Sequence, residues 1–268
     1  SDLLLVFGGA LLLRLLLAYT THGFSNDIAC FAAWADRIFT LGPGQFYSAE
    51  MFTDYPPGFM YVLYLIGALR SLLQIPYYSD LHILLLKSPA ILCDIACGFL
   101  LYREAVKRLH FSDLQGIFAA SAYLFQPAVI LNSSCWGQVD SVYTLMIILM
   151  CLFLMKGNLL PAYAVYGLGV LLKPQMLIFT PVLLAGIWDH VFLQDFSWRK
   201  FFYNLCGGLV VICGMLLLCA PFGLTAAISQ YTSTLGSYEY AAINAYNFWG
   251  LLGMNWVDQN TIFLFLPC

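Results

Sequence analysis

Charge is the scarcest property of this sequence. Asp, Glu, Lys and Arg make up 9% of its 268 residues, against roughly 25% in soluble domains, and mean hydropathy is +0.82. That balance excludes a soluble globular or disordered chain. Net charge is -3, and the few Lys and Arg are scattered between apolar blocks, so no basic stripe exists to follow a nucleic-acid backbone and no nucleic-acid partner is expected. There is no GxGxxG or P-loop pattern, hence no expected nucleotide site. No CxxC pair occurs either. Cys93, Cys97, Cys151, Cys206, Cys213 and Cys219 fall within apolar runs, where Cys behaves as a small hydrophobe. A Cys30 to Cys135 disulfide between two loops stays open. The first apolar stretch has no small-residue cleavage site, so it reads as a retained span.

What is present is apolar sequence in long blocks. A crossing helix takes about 20 apolar residues, which gives room for seven or eight spans in one all-α transmembrane domain covering 1–268. The blocks are 3–19, 57–73, 81–102, 114–131, 141–155, 159–172, 176–188 and 201–220. Ser1 is not a Met and the last residues enter a new apolar stretch, so further chain is expected, with C-terminal helices beyond residue 268. Arg103, Lys107 and Arg108, then Lys156, then Arg199 and Lys200 mark three loops that the positive-inside rule puts on one side. Residues 132–140, 173–175 and 221–260 then share the opposite, exofacial side. Block 57–73 opens on Pro-Pro and ends at Arg70; it reads as a juxtamembrane helix that does not cross, which makes 20–80 the first exofacial loop. Within that loop Ile28 to Leu41 is amphipathic, with Phe31, Trp34 and Phe39 on one side, as suits a helix lying in the interface. No repeat of the inverted-transporter kind is found.

Ionisable groups close to hydrocarbon are costly and therefore informative. Asp27 starts the amphipathic helix, where it serves either as an N-cap or as a carboxylate able to take a proton from a hydroxyl. Asp54 and Tyr55 precede Pro56-Pro57, whose prolines set an extended entry to the next helix. The stretch Asn132 to Ser141 packs Trp136, Gln138 and Asp140 into a connecting loop, more than a turn requires; Asp140 is again either a cap or a site residue. Lys173, followed by Pro174 and Gln175, is a lone cation on the face that basic residues avoid, and it suits an anionic ligand such as a phosphate. Lys87 and Asp94 stand two turns apart on one helix face. With Arg14 they form either a structural charge network in the bundle or a set in which Lys87 or Arg14 faces a phosphate. Asn244 and Asn247 lie among aromatics and could read sugar hydroxyls.

In this order the motifs resemble the GT-C glycosyltransferases, polytopic enzymes that use a polyprenyl-phosphate sugar as donor. The nearest likeness is to dolichyl-phosphate-glucose-dependent glucosyltransferases and to bacterial and archaeal mannosyltransferase-like relatives. It rests on Asp27 with Trp34, Asp54-Tyr55-Pro56-Pro57, Lys87 with Asp94, Trp136-Gly137-Gln138 with Asp140, and Lys173-Pro174-Gln175. Asn244 to Trp249 is similar to an exofacial segment of the bacterial branch. The resemblance implies a GT-C-like helix bundle, Asp27 as catalytic base, and Lys173 at the donor phosphate with Lys87 or Arg14. It implies acceptor contacts from Asp54, Tyr55, Trp136, Gln138, Asp140, Gln175, Asn244 and Asn247. It also implies a lipid-linked or glycan acceptor, and either the plasma membrane or the endoplasmic reticulum membrane as location. No cofactor is required by that chemistry. Asp140 stands where some branches place a metal-binding acid and the glucosyltransferase branch has Asn, which leaves a divalent metal open. A transporter or lipid scramblase using the same charges is the alternative.

Overall fold

Helix starts in this chain are written locally. Ser79 accepts from the His82 backbone N–H at 3.3 Å at one start, and Ser112 with Gln115 forms a reciprocal capping box at another. In the computed structural model, residues 2–48, 52–194, 196–236, 240–242, 248–258, 262–263 and 266–267 are described. The helices are α1 (Asp2–Thr20), α2 (Ser25–Leu41), α3 (Pro57–Leu72), α4 (Asp80–Lys107), α5 (Asp113–Leu124), α6 (Pro127–Ile130), α7 (Asp140–Met155), α8 (Leu159–Leu172), α9 (Thr180–Trp188), α10 (Trp198–Cys219) and α11 (Leu224–Gly236). Residues 1–227 form one compact unit and 228–268 a second. Within the second, a short helix (Phe248–Leu251) and a two-residue antiparallel pairing, Ile262–Phe263 with Leu266–Pro267, are described.

The first unit is helical and rich in helices that suit a bilayer. Four stretches are long and apolar enough to cross one: α1, α4, Pro174–Leu193 and Trp198–Phe222. The bent pair of α5 with Pro127–Trp136 makes a fifth if counted as one span. Fewer described stretches reach that length than the seven or eight expected, because α7 and α8 have 16 and 14 residues, about 24 and 21 Å at 1.5 Å per residue. α3, also 16 residues, falls short of a roughly 30 Å hydrocarbon core in the same way. Only 11% of the apolar stretch in α10 is buried by protein, so its exposed Leu and Val side chains meet lipid favourably and water poorly.

Two departures from the sequence reading shape the site. The expected block 114–131 is broken: Pro127 cannot extend α5, the chain bends by 53°, and Gln126 caps the restart by accepting from the Val129 N–H at 2.8 Å. The expected loop 132–140 is helical through Leu131–Trp136, in wide π-type turns, and ends at Gly137 with φ of 88°.

The amphipathic face of α2 is not spent on lipid. Ile28, Phe31, Trp34 and Ile38 are buried with Phe59, Leu63 and Leu86 in one apolar cluster, and Phe31, Trp34, Tyr55 and Phe59 pack ring to ring at 5.5–5.7 Å. Each such side chain contributes about 1.5–3 kcal/mol by leaving water. Gly67 allows the contact, since a Cβ there would come within 2.5 Å of the Ala35 carbonyl oxygen. α2 and α3 therefore pack as a pair against α4, and the end of that pair carries Asp27 and Tyr55.

Candidate functional site

Two buried charges fasten the helices behind the site. Asp94 on α4 accepts from Arg14 Nε at 3.1 Å, Ser133 Oγ at 2.6 Å, Ser141 Oγ at 2.5 Å and Tyr123 OH at 3.3 Å, so one carboxylate ties α1, α5, α7 and the π-type turns to α4. Lys87, two turns earlier, donates from Nζ to the carbonyls of Ala18 (3.2 Å), Thr21 (2.7 Å) and Ser134 (2.9 Å). A cation at the carbonyl end of α1 offsets the partial negative charge of its last turn. Arg14 and Lys87 are fully buried. Neither presents itself to a donor phosphate, which corrects that expectation and leaves the structural alternative. The network also divides: Lys87 bonds carbonyls, whereas Arg14 and Asp94 pair with each other.

These anchors set where the segment after α1 meets the π-type turns. The Phe24 N–H donates to the Trp136 carbonyl at 2.8 Å, and the two rings lie 4.9 Å apart. Gly137 then turns the chain, and a Cβ at that position would meet Ile28 Cδ1 at 2.6 Å and Lys87 Cε at 3.3 Å. A Gly137→Ala substitution is expected to destabilise the fold by about 1–2 kcal/mol, since the left-handed backbone disfavours any Cβ. Thermal unfolding in detergent measures it, and an unchanged midpoint contradicts it.

Asp27 lies in the first turn of α2, where the N-cap position belongs to Phe24 and no side chain caps. The cap reading is thereby corrected. Its Oδ2 instead accepts from Trp136 Nε1 at 2.9 Å and Gln138 Nε2 at 2.5 Å; among the described residues no hydrogen bond reaches Oδ1. Trp136 is 49% exposed, which places this carboxylate at an accessible edge. Cys30, one turn along, has its thiol pushed above the ordinary range by burial and then by the negative charges of Asp54 and Asp27. It stays protonated at neutral pH, and it brings Asp54 into the same neighbourhood. Cys30 and Cys135 are both free thiols.

Gln138 bridges two clusters, because its Oε1 also accepts from Tyr55 OH at 3.4 Å. Tyr55 is held by Tyr47 OH, which donates to its carbonyl at 3.0 Å, and it stands before Pro56 and Pro57, which start α3. Over the Tyr55 ring, 5.8 Å from its centroid, lies Lys173 Nζ; the Tyr143 ring is 5.6 Å away, both within cation–π range. Lys173 is not the lone cation expected: it forms an ion pair with Asp140, and its side chain is 13% exposed against 36% for Asp140. The other Asp140 oxygen accepts from Asn132 Nδ2 at 3.0 Å. Asp140 does not cap α7; its two oxygens are engaged by Lys173 and Asn132.

Asp27, Tyr55, Trp136, Gln138, Asp140 and Lys173 thus form one connected network from segments 20–56, 132–140 and 173–175, exposed at Trp136 and buried at Tyr55. Gln175 is exposed in the 3₁₀ turn Pro174–Phe179 and joins none of these bonds. Asn244 and Asn247 lie outside the described residues. Trp34 belongs to the apolar core, its Nε1 donating to the Phe52 carbonyl at 3.0 Å. Tyr143 was not anticipated, although its position three residues after Asp140 on one helix would have placed the two on a common face. No protein-family model matches the sequence, and no curated protein matches it.

Proposed function

We propose that the chain is an integral-membrane hexosyltransferase of GT-C type. In this reading α2 and α3 are the juxtamembrane helices of the first exofacial segment. A glucose or mannose passes from a polyprenyl phosphate to a hydroxyl of a lipid-linked or other glycan acceptor, with inversion. The observation that carries the reading is the pairing of an accessible carboxylate, Asp27, with a cation, Lys173, through the short bridge of Gln138 and Tyr55.

Chemically, the acceptor oxygen attacks the anomeric carbon, the bond from that carbon to the phosphate oxygen breaks, and the electron pair leaves on the polyprenyl phosphate. Asp27 takes the acceptor proton on Oδ1 while Trp136 and Gln138 fix Oδ2. Such a base contributes typically about 10²–10⁴-fold. Lys173 stabilises the charge that grows on the leaving phosphate. To do so it shares its ammonium between the phosphate and Asp140, whose carboxylate Asn132 holds in place. Trp136, half-exposed, offers a face on which a sugar ring can rest.

Lys173→Ala is expected to raise the apparent KM for the polyprenyl-phosphate sugar by roughly 10–100-fold, the worth of one charge-assisted hydrogen bond, with partial recovery in Lys173→Arg. Steady-state transfer in detergent with graded donor tests this. A donor KM unchanged in Lys173→Ala removes Lys173 from the phosphate.

A further inference from the structure

Between α8, α9 and α10 lies a half-open cavity of about 400 Å³ walled by Tyr163, Leu183, Ile187, Phe201, Leu209 and Met215. It is apolar almost throughout and lies in the size range of ligand pockets, roughly 300–1,000 Å³. Asn204 lines it and also lines a second pocket of about 610 Å³, formed with Asn158, His190, Ser197, Arg199 and Lys200. Among the described residues no acidic side chain lines either pocket; nearby Asp189 accepts from Gln194 Nε2 at 2.5 Å. Lys200 Nζ donates to the Gln194 carbonyl at 3.0 Å. Arg199 is exposed, and no hydrogen bond or ion pair engages its guanidinium among the described residues.

Around the junction runs a belt of rings. Trp188, Phe192, Phe196, Trp198 and Phe202 succeed one another at centroid distances of 4.7, 5.8, 5.3 and 6.0 Å. Aromatic belts mark the depth at which hydrocarbon gives way to headgroups. The basic pocket and the apolar cavity meet at Asn204, and Phe192 of the belt lines the cavity, so a charged and an apolar site adjoin as headgroup and acyl chain do in a lipid. Cationic pockets between membrane helices are the sites that select anionic headgroups.

We infer that this pair of pockets binds an anionic glycerophospholipid, one acyl chain in the cavity and the headgroup phosphate on Arg199 with His190 and Ser197 beside it. The 14 residues of α8, about 21 Å, separate this end from Lys173, so the assignment stands without the transferase reading. The purified protein in nanodiscs of phosphatidylcholine containing one part in ten of phosphatidylglycerol with identical acyl chains tests it, by native mass spectrometry of retained lipid. Phosphatidylglycerol is expected to be enriched over its mixing ratio, and Arg199→Gln to cut that enrichment about fivefold. Gly208→Phe fills the cavity from a backbone position where a Cβ meets nothing within 4 Å, and it is expected to remove retention of both lipids while the thermal midpoint holds. Retention that follows the mixing ratio, or that either variant leaves unchanged, overturns the assignment.

Discussion

Asp27→Asn should lower hexose transfer by about 10²–10⁴-fold, the range a general base supplies, with donor affinity near that of the parent. The amide keeps the shape of the carboxylate and an oxygen for Trp136 and Gln138, the two donors that hold Oδ2 at 2.9 and 2.5 Å. What it removes is the capacity to take a proton at Oδ1. The useful comparison is with Gln138→Ala, which leaves the carboxylate but deletes both one of its donors and the link to Tyr55. That variant is expected to lose rate less severely and to lose donor affinity as well. A parent-like rate in Asp27→Asn, with the protein folded, rejects the assignment of base.

The second large effect is on stability. Asp94→Ala leaves the guanidinium of Arg14 buried at zero exposure with no counter-charge, and breaking a buried pair from one side costs about 3–5 kcal/mol. It also releases Ser133, Ser141 and Tyr123, so the turns leading to Trp136 lose their fixing point on α4. The double change Arg14→Leu with Asp94→Leu removes both charges and is expected to recover much of the loss, since apolar replacement of a whole buried pair is often neutral. Thermal unfolding of the single and double variants in one detergent measures the difference. A double variant no more stable than Asp94→Ala would show that the hydroxyl contacts, rather than the ion pair, hold the helices.

Much of the frame was legible because apolar run length is a one-dimensional signal. Block 3–19 is α1 to within a residue at each end, and 159–172 is α8. Block 81–102 runs on to Lys107 because Arg103 and Lys107 extend a helix as readily as they end a hydrophobic run. The break at Pro127 is invisible to an apolar count, because its effect on a helix is local and the surrounding Ile, Val and Leu outweigh it. The helical turns at Leu131–Trp136 were hidden for a different reason. Asn132, Ser133 and Ser134 look like loop residues until the Ser133 hydroxyl is matched with Asp94, the Ser134 carbonyl with Lys87 and the Asn132 amide with Asp140.

The site residues show the same division. Types and order pointed to Asp27, Gln138, Asp140 and Lys173, and these do meet. Their partners could not be read. Asp is a preferred N-cap residue, yet Asp27 and Asp140 bond Trp136, Gln138, Asn132 and Lys173 instead, contacts that exist only once the helices have packed. Phe31 and Trp34 read as an interfacial face because one amphipathic helix cannot tell lipid from a neighbouring helix; the small residue at Gly67 was the hint that α3 covers them.

The most direct test is the fate of a polyprenyl-phosphate hexose, labelled in its sugar, in proteoliposomes with a crude lipid acceptor. The prediction is label in the acceptor with an equal amount of free polyprenyl phosphate released, and neither product from Asp27→Asn. Donor that crosses the bilayer intact, with no free lipid phosphate formed, would contradict the transferase and leave a lipid transporter in its place.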